Sequence, residues 1–264
     1  KKNKKKMGKW RKKTPTASVN IPNTVLFSFD IVILVNLLYN YFIINTGNMK
    51  MNYKELIKSF TKENFQNNVN LHIHTKFSDG ELSVDELLKQ ARDKGFEYIA
   101  VTDHNTVNAY LETDLLKENF VITGVEFDCW YCGIFFHLLG YGIDVNNDSL
   151  KPFLAKNKRE TEADWVRIFS HRNVKKLIEA IHKAGGIAVL AHPACCWCVS
   201  MDHFVKTLKN IGLDGLEVYY PYDRHRGIIK FHSRHIMEKI ADKYNLIKTG
   251  GTDCHHNLTS LSQL

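Results

Sequence analysis

The chain has 264 residues, 44% of them hydrophobic, which is enough apolar material for a substantial core and excludes a disordered or collagen-like polymer. Its formal charge of +8 suggests a nucleic-acid binder only until it is divided by position: residues 1 to 50 hold ten Lys and Arg against one acid, Asp30, leaving 26 basic and 27 acidic residues in 51 to 264. A near-neutral domain of that kind argues against duplex nucleic acid as a partner.

The basic run KKNKKKMGKWRKK opens the chain and is followed by TVLFSFDIVILVNLLYNYFII, residues 24 to 44. That length is about what a bilayer crossing needs. Asp30, Asn36 and Asn40 count against it, since a mid-span aspartate alone costs about 2.5 to 3.5 kcal/mol on insertion. Residues 1 to 50 therefore read in three ways: as translated upstream sequence with initiation at Met49 or Met51, as a single-pass anchor with the Lys-rich flank in the cytoplasm, or as a soluble appendage. The six cysteines lack the spread spacing of a secreted disulfide framework. Unpaired thiols in a reducing compartment point to the cytoplasm.

Residues 51 to 264 read as one domain. A short β-branched or aromatic run ending in a polar residue recurs seven times, at 69–75, 98–104, 120–127, 135–143, 186–193, 215–220 and 246–256. Helical periodicity fills several intervals, at 83–95, 174–186, 202–212 and 232–245. Ser83 with Glu86 forms a capping-box signature, and Gly95, Gly185 and Gly212 sit where helices would end. Strand, helix, strand in this rhythm predicts an α/β fold with a parallel sheet. Nearly every strand closes on His, Asp or Glu, so a (β/α) barrel, irregular with seven strands, gathers them at the face where such barrels build sites.

His72 and His74 are two apart on the first strand and share a face. Asp79 lies in the turn FSDG, where Gly80 permits tight geometry. Asp103 and His104 end the second run, Glu126 the third; His137 lies in the fourth, His192 ends the fifth, and Asp253 with His255 ends the seventh. Leaving Asp103 aside, nine donors (His72, His74, Asp79, His104, Glu126, His137, His192, Asp253 and His255) exceed what one ion can use. Two or three ions fit the count, and mixed nitrogen and oxygen donors suit Zn²⁺, Mn²⁺ or Fe²⁺.

In order, the segments HIHTKFSDGELS, AVTDHNT, GVEF, HLLGYGID, VLAHP, GLEVYY and GGTDCHH resemble the motifs of the PHP (polymerase and histidinol phosphatase) metal-dependent phosphoesterases. Within that family, TDH and GLEVYY are most similar to the nucleoside 3′,5′-bisphosphate phosphatase and 5′-to-3′ oligoribonuclease branch. The resemblance implies a distorted seven-stranded barrel with three ions. One is held by His72, His74, Glu126 and Asp253, a second by Glu126 as a bridge with His137 and His192, and a third by Asp79, His104 and His255. Two departures stand out. Asn105 replaces an aspartate common in the family, and the chain stops nine residues after His255, which reads as a truncated C-terminus.

The chemistry expected of such a site is phosphoester hydrolysis by attack of a metal-bridged hydroxide, because bound cations lower the pKa of water to about 7. Glu126 and His104 are candidate catalytic residues, and Asp103 beside them is a candidate to orient a ligand or take a proton. Arg224, His225 and Arg226, just past the sixth run, are candidates to grip substrate phosphate, and Tyr219, Tyr220 and Tyr222 to stack bases of short single-stranded RNA. The sequences CWYC (129–132) and CCWC (195–198) raise a separate thiolate site on loops of the same face. Rival readings are histidinol phosphatase, whose members tend to show SEH in place of TDH, an amidohydrolase acting on carbon, and a non-catalytic PHP accessory module. Such modules often lose ligands; here all nine positions are filled.

Overall fold

The computed structural model describes residues 52–222 and 232–264, and within them the alternating pattern becomes a ring of strands wrapped in helices. Two short helices, α1 (Tyr53–Ser59) and α2 (Lys62–Asn67), precede β1 (Val69–Ile73). Then come α3 (Val84–Asp93), β2 (Tyr98–Val101), α4 (Asn108–Glu112), β3 (Val121–Tyr131) and β4 (Ile134–Tyr141). The second half holds α5 (Arg159–Glu162), α6 (Asp164–Arg167), α7 (Val174–Lys183), β5 (Ile187–Leu190), α8 (Met201–Asn210), β6 (Gly215–Tyr219), α9 (Arg234–Lys243) and β7 (Ile247–Gly250). The strands pair in sequence order from β1 to β7. Just past β7, Cys254 bridges back to Ile73 in parallel, with His74 N donating to Cys254 O at 2.9 Å, so the two sheet edges meet. The result is an irregular seven-stranded α/β barrel.

Local rules account for the helices. In α3 the Ser83 hydroxyl accepts from Glu86 N while the Glu86 side chain accepts from Ser83 N, the reciprocal capping box the sequence predicted. Gly95, Gly185 and Gly212 all adopt positive φ after their helices. The apolar stripe of α7 (Val174, Leu177, Ile178, Ile181) is buried.

One expectation is corrected. The sheet is not parallel throughout: β4 runs antiparallel to both β3 and β5. Only Cys132 and Gly133 separate β3 from β4, far too few residues for a crossover helix. Both have positive φ (52° and 75°), as a two-residue hairpin demands. β3 accordingly continues to Tyr131, well beyond the length of its parallel neighbours. Because β4 enters in the opposite direction, its N-terminal half lies level with the C-terminal ends of the others.

Among the described residues no helix is long and apolar enough to cross a membrane. The apolar stretch 24–44 lies outside those residues.

Candidate metal centre

The barrel mouth is built by strand alternation and strained turns. Val69, Leu71 and Ile73 pack into the core while His72 and His74, both fully buried, present rings 5.2 Å apart on the opposite face. The chain then turns through Gly80, where a Cβ would lie 2.3 Å from the His74 carbonyl oxygen. This brings Asp79 back over the strand end. Asn105 (φ 57°), His192 (φ 26°) and Asp253 (φ 51°) occupy left-handed backbone at or just past strand ends. For non-glycine residues that conformation costs on the order of 1–3 kcal/mol each, and such strain concentrates at sites of function.

Glu126 is the hub. Its Oε2 lies 3.1 Å from His72 Nε2, 3.2 Å from His74 Nε2 and 3.5 Å from His104 Nδ1. Its Oε1 lies 3.1 Å from His137 Nδ1 and 3.3 Å from His192 Nε2. Asp253 Oδ1 sits 3.1 Å from His74 Nε2 and 3.4 Å from His72 Nε2. On the far side, Asp79 reaches His255 Nε2 at 3.3 Å and His104 Nε2 at 3.6 Å. All nine sequence-selected donors thus meet at one mouth; Asp79, His104, Glu126, His137, Asp253 and His255 line a pocket of about 670 Å³ there, with His72 and His74 buried beneath.

Donor atoms fall into three sets, each within 4.8 Å of one another: His72, His74, Glu126 and Asp253; His74, Asp79, His104 and His255; and His104, Glu126 and His137. Buried atoms His74 Nε2, Asp79 Oδ1, His104 Nδ1, Glu126 Oε1 and Asp128 Oδ1 find no well-formed hydrogen bond within the protein. Each such orphan costs about 1–3 kcal/mol, and a divalent cation would satisfy several at once. The residues present fit such ions.

In the protein alone the cluster is held by proton sharing. Burial opposes charge on His74, but the carboxylates of Asp253 and Glu126 close to its Nε2 outweigh it and raise the imidazole to about 9. Glu126 and Asp128 do the same for His137, lifting it to about 10 against its own burial. His104 is driven well below the usual histidine range, by burial and by the neighbouring His74 and His137. Burial would raise Glu126, yet the surrounding imidazoles hold it well below the carboxylate range.

Residues 70–248 match the family model described as the PHP domain. The chain belongs to the PHP family. It is accordingly a hydrolase of the phosphoesterase type, and its mouth carries His, Asp and Glu groups that could hold metal ions. It is 21% identical over 254 residues to the phosphoribosyl 1,2-cyclic phosphate 1,2-diphosphodiesterase of Eggerthella lenta, covering 70% of this chain and 93% of that one. It is 28% identical over 153 residues to the 3′,5′-nucleoside bisphosphate phosphatase of Chromobacterium violaceum, covering 55% of this chain and 50% of the relative. The fold is shared with a crystal structure of a proposed metal-dependent phosphoesterase from Bifidobacterium adolescentis, at TM-score 0.57 and 21% identity over 72% of this chain and 88% of that one.

Three residues of this PHP domain that the motifs did not single out complete the centre. Asp128, fully buried, lies 3.2 Å from His137 Nε2, and the Asn105 side-chain amide donates to it. Asn105 thus contributes a donor where an aspartate would set one carboxylate against another. Glu217, also fully buried, places Oε1 3.0 Å from His72 Nδ1 and accepts from His192 N through Oε2 at 2.8 Å. That contact orients His72 so that Nε2 faces the hub. Arg167 is buried with Nη1 2.9 Å from Asp79 Oδ2, while its Nε has no hydrogen-bond partner.

Asp103 stands apart from the donor sets. Its carboxylate accepts from Thr75 N and Thr75 Oγ1, both at 2.7 Å, and from Ser78 Oγ at 2.6 Å. Those bonds shape the loop beneath Asp79. Arg224, His225 and Arg226 lie outside the described residues. Tyr219, Tyr220 and Tyr222 are largely buried yet line a pocket of about 470 Å³ together with Arg234 and His235; Tyr220 donates to Asp253 Oδ2 and Tyr222 to the Glu217 carbonyl, so these two also brace the mouth. The thiolate idea is likewise corrected. Cys129 is buried on β3 and Cys132 sits exposed in the hairpin turn, and among the described residues no donor set contains sulfur.

Glu217→Gln should preserve the fold, because the amide is isosteric, but lower cation affinity about 10- to 100-fold, the usual effect of losing a carboxylate behind a ligating histidine. Titration against a competing chelator measures it. Unchanged affinity would mean that the His72 tautomer is set by other contacts.

Proposed function

We propose that this protein is a metal-dependent phosphoesterase that removes phosphate from small nucleotides, with nucleoside 3′,5′-bisphosphates as the leading substrates and short single-stranded RNA as an extended form of the same chemistry. The convergence of five imidazoles on Glu126, with Asp79, Asp253 and His255 beside them at a mouth open to solvent, is the observation that carries this reading.

In this assignment His72, His74, Glu126 and Asp253 hold one divalent cation, Glu126, His137 and His192 a second, and Asp79, His104 and His255 a third. Mn²⁺, Zn²⁺ and Fe²⁺ all suit the donors. When bound, such cations acidify water and stabilise the oxygens attacking and leaving phosphorus.

The chain's own groups do the remaining work. Glu126 neutralises the centre from between the donor sets. Arg167, anchored through Asp79, lines the pocket and holds a fixed positive charge beside the donor cluster, where it attracts a phosphoryl group. Asp103 is a positioning residue that fixes the Thr75–Ser78 turn, and Ser78 Oγ in turn lies 3.4 Å from His74 Nδ1. Arg224, His225 and Arg226, outside the described residues, are proposed on their chemistry alone to meet a second substrate phosphate.

The test is a screen of the purified chain with Mn²⁺ against adenosine 3′,5′-bisphosphate, 5′-phosphorylated oligoribonucleotides, phosphoribosyl 1,2-cyclic phosphate and histidinol phosphate. Phosphate release from the bisphosphate at the highest kcat/KM is expected. Turnover of histidinol phosphate alone would move the protein to the rival branch. No turnover by fully metal-loaded protein would leave it a non-catalytic module.

A further inference from the structure

The β3–β4 hairpin extends past the donor cluster, and its alternation stacks two different chemistries on one face. Glu126, Asp128 and Trp130 are two apart on β3, while His137 and Phe135 are two apart on β4, with Asp128 opposite His137 and Trp130 opposite Phe135. The lower rung of this ladder is ionic and the upper rung is aromatic.

The upper rung lines a cleft of about 510 Å³ whose walls include Trp130, Phe135, Ile168 and Trp197, with His137 and His192 at its inner end. That volume falls in the range of about 300–1,000 Å³ typical of small-molecule sites. A relay of rings runs from the cleft to the hub: Trp130 to Phe135 at 5.4 Å, Phe135 to His137 at 5.3 Å, and His137 to His192 at 5.1 Å. The Trp130 indole N–H donates to the Ile168 carbonyl at 2.6 Å, which fixes the ring plane. Trp197 is 82% exposed, a large apolar ring held in water.

We infer that this cleft is the subsite for the nucleobase of the substrate, a reading that rests on the phosphoesterase function proposed above. Two observations choose the occupant. The cleft and the donor cluster share His137 and His192, so whatever enters it is attached to the molecule whose phosphate meets the cations. The walls are aromatic and aliphatic, which favours a flat heterocycle over a sugar or a second phosphate. Stacking on Trp197 and Phe135 tolerates any base, because every base presents a π-face.

The test compares adenosine 3′,5′-bisphosphate with its base-free analogue, the tetrahydrofuran 3,5-bisphosphate, on the Mn²⁺-loaded full chain. Trp197→Ala and Phe135→Ala should each reduce the ratio of kcat/KM for the two substrates by about tenfold, through KM. Trp165→Ala, which alters an exposed tryptophan that does not line the cleft, should leave the ratio at the wild-type value. Independently of turnover, adenosine should quench tryptophan fluorescence in the wild type, and the affinity read from that quench should fall about tenfold in Trp197→Leu, where Trp130 still reports. An unchanged ratio in both cleft variants, or adenosine affinity unchanged in Trp197→Leu, overturns the subsite. If neither bisphosphate is hydrolysed but adenosine affinity depends on Trp197, the cleft stands and the phosphoesterase reading falls. If both are hydrolysed with equal kcat/KM, the reverse holds.

Discussion

Glu126→Ala is expected to abolish metal-dependent turnover, with a loss beyond the roughly 100-fold that follows removal of a group acting only behind a ligand. Five imidazoles lie within 3.5 Å of this one carboxylate, so its removal takes an anionic partner from each of them at once. Bound metal should fall in parallel, measured by elemental analysis after gel filtration. Chelation of the wild type should reproduce the loss, and added Mn²⁺ should restore activity to the wild type but not to the variant. Circular dichroism separates this outcome from unfolding. Wild-type kcat in a fully loaded Glu126→Ala protein would remove this carboxylate from the chemistry altogether.

Cation binding should expel protons, and apparent affinity should climb with pH. In the metal-free protein His74 and His137 are protonated near neutrality, since their pKa values are lifted to about 9 and about 10. A ligating imidazole must be neutral. Each proton displaced makes affinity rise by up to about tenfold per pH unit, continuing until pH passes those values. Calorimetry in buffers of different ionisation enthalpy counts the protons directly.

The same shifts govern stability. A histidine whose folded pKa is raised contributes stability that is fully present below its unfolded value of about 6.5 and is lost as pH rises through the folded value. Chelated protein should therefore lose melting temperature between about pH 6.5 and 10, while loaded protein, whose imidazoles are neutral throughout, should not. A chelated protein with a flat profile over that window would show that these protons are absent.

Much of this centre could be read before any coordinates, for a specific reason. His72, His74, His104, His192, Asp253 and His255 stand at or beside the ends of short apolar runs, and strand ends of a barrel have one place to meet. What escaped notice was hidden by its surroundings. Asp128 follows GVEF inside a run that continues as a strand, and only the hairpin register sets it opposite His137. Glu217 sits mid-strand between Leu216 and Val218, where a carboxylate reads as solvent-facing until β6 is seen with both faces covered. Arg167 belongs to the irregular stretch between β4 and α7, where no periodicity gives a frame. The hairpin itself lacks the Asn-Gly or Asp-Gly signal that marks such turns, and Cys132-Gly133 takes that geometry instead.

The seam that closes the barrel and the centre that defines its chemistry are one piece of chain. Cys254 makes the pairing with Ile73, while its neighbours Asp253 and His255 supply donors to the cluster. At Gly251 the backbone passes so near β1 that a Cβ there would lie 2.4 Å from the Cβ of His72. Ring closure and assembly of the donor cluster thus depend on the same few residues, and cations bound across that joint would act as rivets. Loading would be felt as tightening of the whole cylinder, and losing the ions would loosen it first where the last strand returns to the first.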